Sequence, residues 1–563
     1  MFVSIGAVSI SATYNSASST TGNPSDNPVR TVLHLPPFTS PPTPVPTTPA
    51  PTPPSTAGTA NGTPQMTPTR STPRPSSSSP SASPGGNSSQ SNPSGVVDLS
   101  GDDDDGKSSS SSGASASSSS AAPGRGASAI QDAAKPSIDI VGVSNMVEYP
   151  DMGCSLPNYI SKNGKLFAVG PAGETHQLVI KGVNWFGMES DARVPLGLGA
   201  SEHEGSTLFE IGAFLARNNF NSVRLPLSVA SVLSNAAPGA TRVNQAESRA
   251  LNLASYMTTL QSIVKGLAYH HISVLIALDA HRDTGGDAPE EQQLSAVDAL
   301  ASGLCNKAYW NVLGVDLRSN PVASTWGDGS EADFRAAATR MGNRMLEGCS
   351  KWLAFVEGNS ESHEWTSPST GKQYRFEDWW GGGLAKAKAF PIALALPDKV
   401  VYAPHYHSPA AYPASYFYQD DGVSELGDKE LEENVRGTFD AMFGFLAKDP
   451  SSPALVLGEF GALYATDRHP QKTTRRAFEY TVKLVSETSG VAGGYVWSLN
   501  PERGFEFNYG KALEGASGFR EGLVRSDWRA GNMPLLKALA PLDAMPGLAP
   551  LQCIKKSFRL RRR

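Results

Sequence analysis

From about residue 140 onward, short apolar runs alternate with longer amphipathic stretches. The runs are Leu178 to Phe186, Phe220 to Leu227, Val274 to Ala280, Val312 to Leu317, Trp352 to Val356, Val400 to Ala403, Ala454 to Leu457 and Ala492 to Trp497. They are short, β-branched and continuous rather than alternating, as expected of strands buried on both faces. Between them the apolar positions recur with helical spacing, for example over Leu208 to Asn218, Glu247 to Tyr269, Ala332 to Leu346, Leu431 to Ala447 and Arg475 to Glu487. Alternating strands and helices imply a parallel sheet, and eight such units imply closure. The expected fold class is therefore α/β, a (β/α)8 TIM barrel. Catalytic residues of such a barrel sit just after its strands.

The first quarter of the chain carries no such pattern. From about Ser16 to Lys135 it is almost entirely Ser, Thr, Pro, Gly and Ala, with too few large apolar residues to offset the entropy of ordering. The expected organisation is a long disordered Ser/Thr/Pro-rich N-terminal segment over residues 1–140, a barrel over 141–545 and a basic C-terminal tail over 546–563. The N-terminal segment resembles an O-glycosylated stalk, and the sequons Asn61-Gly62-Thr63 and Asn87-Ser88-Ser89 fit an extracellular or cell-surface setting. The N-terminus lacks a positive n-region, so no signal peptide is assigned and the compartment stays open.

Charge narrows the partners. The net charge of −6 is small for 563 residues, and the basic residues cluster only at the extreme C-terminus, from Lys555 to Arg563. Nucleic-acid binding needs a concentrated basic face, so nucleic acid is not an expected partner. No run of 18 apolar residues exists to span a bilayer. Of the four cysteines, Cys305 and Cys349 precede adjacent strands and lie where a bridge is geometrically possible. Cys154 and Cys553 flank the barrel and meet only if the termini do.

The residues that follow the strands are polar and aromatic: Asn184-Trp185, Arg224, Asp279 with His281-Arg282, Ser319-Asn320, Glu357, His405 and His407, Glu459, and Trp497. The local sequences are more specific. Lys181-Gly182-Val183-Asn184-Trp185-Phe186-Gly187, Val223-Arg224-Leu225-Pro226, Leu278-Asp279-Ala280-His281-Arg282, Trp379-Trp380-Gly381-Gly382, Tyr402-Ala403-Pro404-His405, Leu457-Gly458-Glu459-Phe460-Gly461 and Trp497-Ser498-Leu499-Asn500-Pro501 occur in that order. Together they closely resemble glycoside hydrolase family 5, in particular its endoglucanase (cellulase-like) branch.

The resemblance implies hydrolysis of O-glycosyl bonds in a β-linked polysaccharide by a retaining mechanism. In that mechanism one carboxylate attacks the anomeric carbon and a second, about 5 Å away, protonates the leaving oxygen and then activates water. Glu459 matches the nucleophile, and Arg224 the arginine that keeps it ionised and oriented. Trp497 matches the sugar-stacking floor, and His281 and His405 match histidines near the scissile bond. Trp185 and Trp326 either extend that platform or pack in the core. The expected partner is a β-linked oligo- or polysaccharide met by a monomer. No cofactor is expected, and the His and Cys spacings match no metal-ligand pattern.

The chain departs from the family at two points. The family's acid/base glutamate lies in an Asn-Glu-Pro tripeptide after the fourth strand, where this chain reads Ser319-Asn320-Pro321. Asn320 takes the glutamate's place and Ser319 the asparagine's. An amide donates a hydrogen bond but delivers no proton. The family usually has His-x-Tyr after the sixth strand, and here His407 replaces the tyrosine. His407, Asp328 and Glu331 are the nearby groups that a relocated proton donor would draw on. Two readings follow from the resemblance: a retaining glycosidase, or a carbohydrate-binding pseudoenzyme in which turnover is impaired at Asn320.

Overall fold

The computed structural model describes residues 144–199, 205–281, 287–321, 323–502 and 521–555. The expected N-terminal segment, both sequons, Arg282 and the last eight residues lie outside the described residues.

The chain enters through a three-stranded antiparallel sheet of β1 (Asn158–Lys162), β2 (Lys165–Val169) and β3 (Thr175–Leu178). The barrel follows. Its strands are β4 (Ile180–Asn184), β5 (Ser222–Ser228), β6 (Ser273–Asp279), β7 (Val312–Asp316) and β8 (Leu353–Val356), each parallel to the one before. A hairpin, β9 (Ser362–Thr366) with β10 (Gln373–Glu377), is inserted after β8. The sixth barrel strand is split by Pro404 into β11 (Val400–Tyr402) and β12 (His405–His407), because proline has no N–H for the ladder. β13 (Ala454–Gly461) pairs with both pieces and with β14 (Val491–Trp497), and β14 pairs with β4 to close the ring. The eight expected strands are all present, with ends shifted by a few residues.

Side chains on alternate strand positions face either the barrel axis or the outer helices, and this accounts for the continuous apolar runs. Leu275, Leu313, Leu353, Phe355, Val401, Val456 and Tyr495 form one buried cluster with Tyr159, Leu166 and Leu178 of the entry sheet, which covers the N-terminal end of the barrel. The outward residues pack on α1 (Leu208–Arg217), α2 (Val229–Ser234), α3 (Tyr256–Tyr269), α4 (Glu290–Leu304), α5 (Phe334–Gly348), α6 (Asp428–Met442), α7 (Thr473–Glu487) and α8 (Met533–Ala538). α3 begins nine residues later than its periodicity suggests. Ser255 and Thr258 form a reciprocal capping box that satisfies the first orphan N–H groups and fixes the start there.

Both cysteine pairs are bridged, Cys305 with Cys349 and Cys154 with Cys553. Cys305 and Cys349 are the residues that end α4 and α5. The second bridge involves the start of the expected tail. Within 546–563 the described residues run to Lys555, with Leu551 and Ile554 buried against the entry sheet and Cys553 bonded to Cys154. No described helix is long and apolar enough to cross a membrane.

Candidate active site

Arg224, in the middle of β5, is fully buried and organises the C-terminal mouth of the barrel. Its Nη1 donates to Asn184 Oδ1 and Glu459 Oε1, both at 2.9 Å. Its Nη2 donates to Glu357 Oε1 at 2.9 Å, Asp316 Oδ2 at 3.0 Å and Ser319 Oγ at 3.1 Å, and its Nε to Asp316 Oδ2 at 3.1 Å. One guanidinium thus ties together the ends of five strands or the loops that follow them. A lysine has no planar fork to do so.

Three carboxyls meet this single permanent cation, so they do not all ionise together at neutral pH. Burial opposes the charge on each, and the contacts decide the outcome. At Glu459 the burial penalty is outweighed by His405, His407 and Arg224, and its pKa falls to about 2. His405 itself is driven down to about 4 by burial. Near pH 7 it is therefore neutral, and Arg224 is the cation that counts. Glu357 moves the other way. Burial raises its pKa to about 8 in spite of Arg224, and burial likewise raises Asp316 well above the carboxylate range. Glu459 is the ionised member, and the Asp316–Glu357 pair holds the proton.

The residues expected to share the site mostly do. Asn320 follows Ser319 on the loop after β7, half-buried and in the left-handed backbone region with φ of 52°. Its backbone N–H donates to Glu357 Oε2 at 2.7 Å, and its side-chain amide lies 3.4 Å from Ser319 Oγ. His405 sits beside Glu459 in the β12–β13 register, with Nε2 3.0 Å from Glu357 Oε1 and Nδ1 3.8 Å from Glu459 Oε2. His407 Nε2 lies 3.4 Å from Glu459 Oε2, so the residue in the tyrosine's place still reaches that carboxylate. Trp497 ends β14 beside Gly461 and stacks on Phe186 with ring centroids 5.5 Å apart. Gly461 is required there, because a Cβ would lie 2.5 Å from the Trp497 carbonyl.

His281 stands apart from the Arg224 network. Its Nδ1 meets Asp279 Oδ1 at 2.8 Å and its Nε2 lies 3.7 Å from Asp287 Oδ1. Burial lowers its pKa, but the two aspartates outweigh this and raise it. Trp185 and Trp326 are core residues, fully buried, with their indole N–H groups on the carbonyls of Leu196 and Phe390. They extend no platform. Asp328 is exposed and bound into its own turn by Thr325 and Ser330, and Glu331 is exposed.

Glu357 and Asp316 are the residues of this network that the sequence does not single out. Glu357 stands among the strand-end residues, but nothing local marks it as a partner of Arg224. The nearest signal is Gly381 of the Trp-Trp-Gly-Gly motif: its φ is +71°, and a Cβ there would lie 2.2 Å from Glu357 Oε2. Glu189 is a further carboxyl of this region. Its Oε2 accepts from the Gly187 N–H at 2.7 Å, and its pKa is raised to about 7, chiefly by burial.

The description of cellulase (glycosyl hydrolase family 5) matches residues 177–502, more than half of the chain and all eight barrel strands. The chain belongs to glycosyl hydrolase family 5. It is 26% identical over 371 residues to an endoglucanase of Paenibacillus polymyxa, covering 64% of this chain and 81% of that one. It is 22% identical over 320 residues to endoglucanase B of Acetivibrio thermocellus, covering 50% and 55% respectively. Among solved structures, the catalytic domain of the major endoglucanase from Xanthomonas campestris pv. campestris superposes with a TM-score of 0.54 at 25% identity, over 68% of this chain and 99% of that one. The hyperthermophilic endocellulase from the archaeon Pyrococcus horikoshii shares the fold, with a TM-score of 0.56 at 24% identity over 69% and 99%. The family 5 barrel thus carries Arg224 and Glu459 on adjoining buried positions, with an amide-bearing loop beside them.

Proposed function

We propose that this family 5 barrel binds a β-linked glucan and keeps the nucleophilic half of a retaining glycosidase, with Glu459 as nucleophile and no carboxylic acid at the leaving-group position. The observation that carries this reading is the Arg224–Glu459 pair beside Asn320. The nucleophile is ionised and aimed, while the neighbouring loop offers an amide.

In the glycosylation step a Glu459 oxygen bonds to the anomeric carbon as the bond to the leaving oxygen breaks, and the electron pair departs with that oxygen. A sugar alkoxide leaves poorly without a proton, whereas an activated aryloxide needs none. General acid help is worth about 10²–10⁴-fold, so natural glucans lose most and activated glycosides least. In the second step, water or a small anion attacks the same carbon and frees Glu459.

The test compares a dinitrophenyl β-cellobioside with cellotetraose, with and without azide. The expected result is a burst of dinitrophenolate, acceleration by azide with formation of the β-glycosyl azide, and near-zero turnover of cellotetraose. Equal turnover of the two substrates would overturn the reading of Asn320. The second reading, a complete hydrolase with a relocated acid, has one observation in its favour: Glu189, with its pKa raised to about 7. In that case Glu189→Gln abolishes cellotetraose turnover and spares the activated substrate.

A further inference from the structure

We propose that His405, His407 and Glu459 form a binding site for one divalent transition-metal cation of the zinc class, at the position where the nucleophile meets its substrate. The proposal goes beyond the glycosidase reading and does not depend on turnover.

Each of the three residues offers a ligand atom, and the three atoms lie within 4.8 Å of one another, all buried. Two of the separations involve the same oxygen: His407 Nε2 is 3.4 Å and His405 Nδ1 3.8 Å from Glu459 Oε2. Zinc bound at about 2.0–2.2 Å in a tetrahedral shell separates neighbouring ligand atoms by roughly 3.3 Å. Closing the widest separation, up to 4.8 Å, to that spacing takes a side-chain movement of about 1.5 Å.

The arrangement comes from the local fold. His405 and His407 are alternate residues of β12 and so project to one face, and β13 places Glu459 directly opposite His405 in the ladder. Two histidines and one carboxylate suit zinc, with the fourth ligand left to water.

The surroundings match what holds metal ligands elsewhere. A ligating histidine usually has its other nitrogen on a carboxylate, which fixes the ring. His405 Nε2 lies 3.0 Å from Glu357 Oε1. The other oxygen of Glu459, Oε1, is held by Arg224, and Oε2 is the one that faces the two imidazoles.

His407 is the residue that makes the set, because the family's usual tyrosine in this place supplies no imidazole nitrogen. The cation and the sugar would compete for Glu459 Oε2, so metal binding blocks the nucleophile.

The experiment uses the full chain, stripped with chelator and without any glycan. Zinc is titrated by calorimetry, and Co²⁺ is added separately to read its ligand-field absorption. The expected result is one equivalent of Zn²⁺ per chain and a Co²⁺ spectrum typical of four- or five-coordinate nitrogen and oxygen ligation. Zinc should also raise the melting temperature. His407→Tyr, which restores the family's residue, should lose that equivalent, with at least a 100-fold fall in affinity, and so should Glu459→Gln. His281→Ala tests the separate Asp279–Asp287 cluster and should keep it. Absence of binding, or binding unchanged in His407→Tyr and Glu459→Gln while both fold, overturns the proposal. A failed azide experiment on the metal-free chain, with zinc binding intact in the titration, would overturn the glycosidase reading and leave this one standing.

Discussion

Arg224 donates from Nη1 to Glu459 Oε1 and from Nη2 to Glu357 Oε1, each at 2.9 Å, so one buried guanidinium holds two glutamates of opposite protonation. The charge balance of the mouth rests on this fork. Replacing Arg224 with Met leaves Asp316, Glu357 and Glu459 without their permanent cation. Breaking a buried ion pair from one side costs about 3–5 kcal/mol. Denaturant unfolding should show a loss of that order, and Arg224→Lys should recover only part of it.

Installing the proton donor tests the other half of the site. Asn320→Glu should raise turnover of cellotetraose by about 10²–10⁴-fold. The gain is opposed locally, because φ of 52° at this position suits Asn better than Glu. The paired Ser319→Asn, Asn320→Glu variant should therefore exceed the single change, as the restored Asn also contacts the sugar 2-hydroxyl. Steady-state kinetics on cellotetraose measures both.

Much of this site was legible in the sequence, for a physical reason. A strand buried on both faces has to be a continuous apolar run, so all eight barrel strands stand out and the residues after them are exposed as candidates. Glu459, Arg224, Asn320 and His405 take their expected roles from the motifs that resemble family 5, not from strand position alone. Glu357 carries no such motif, and its contact with an arginine 133 positions away leaves no local mark. The His405–His407–Glu459 grouping was hidden for the same reason: the strand ladder that sets Glu459 against His405 leaves no spacing signature. Trp185 reads as a cleft aromatic by position, yet its indole turns into the core.

The pH dependence of stability has an identifiable source outside the site. His270, at the end of α3, packs edge-on against Phe209 and beside Gly212. Burial, then Arg217 and His271, lower its pKa from 6.5 to about 4. The folded state disfavours the imidazolium, so this contribution is complete above pH 6.5 and is lost as pH falls from 6.5 through 4. It amounts to at most about 3 kcal/mol. His270→Phe should flatten the fall in unfolding free energy across that window, measured in denaturant at several pH values.

The disulfides should separate in their effects. Cys305–Cys349 closes a loop of 44 residues between the ends of α4 and α5, and its removal as Cys305→Ser with Cys349→Ser should cost about 2–4 kcal/mol. Cys154–Cys553 spans 399 residues and joins the segment before β1 to the segment after α8 beneath the barrel. Its removal should loosen residues 546–555 first, seen as faster amide exchange there.

The most direct test of the central claim is covalent trapping. A dinitrophenyl 2-deoxy-2-fluoro-β-cellobioside needs no acid to leave, and its fluorine slows release of the glycosyl-enzyme. Peptide mass mapping after incubation should find one added fluorocellobiosyl group, on Glu459, and none in Glu459→Gln. A label on another residue, or none in wild-type protein that binds cello-oligosaccharide, would contradict the account.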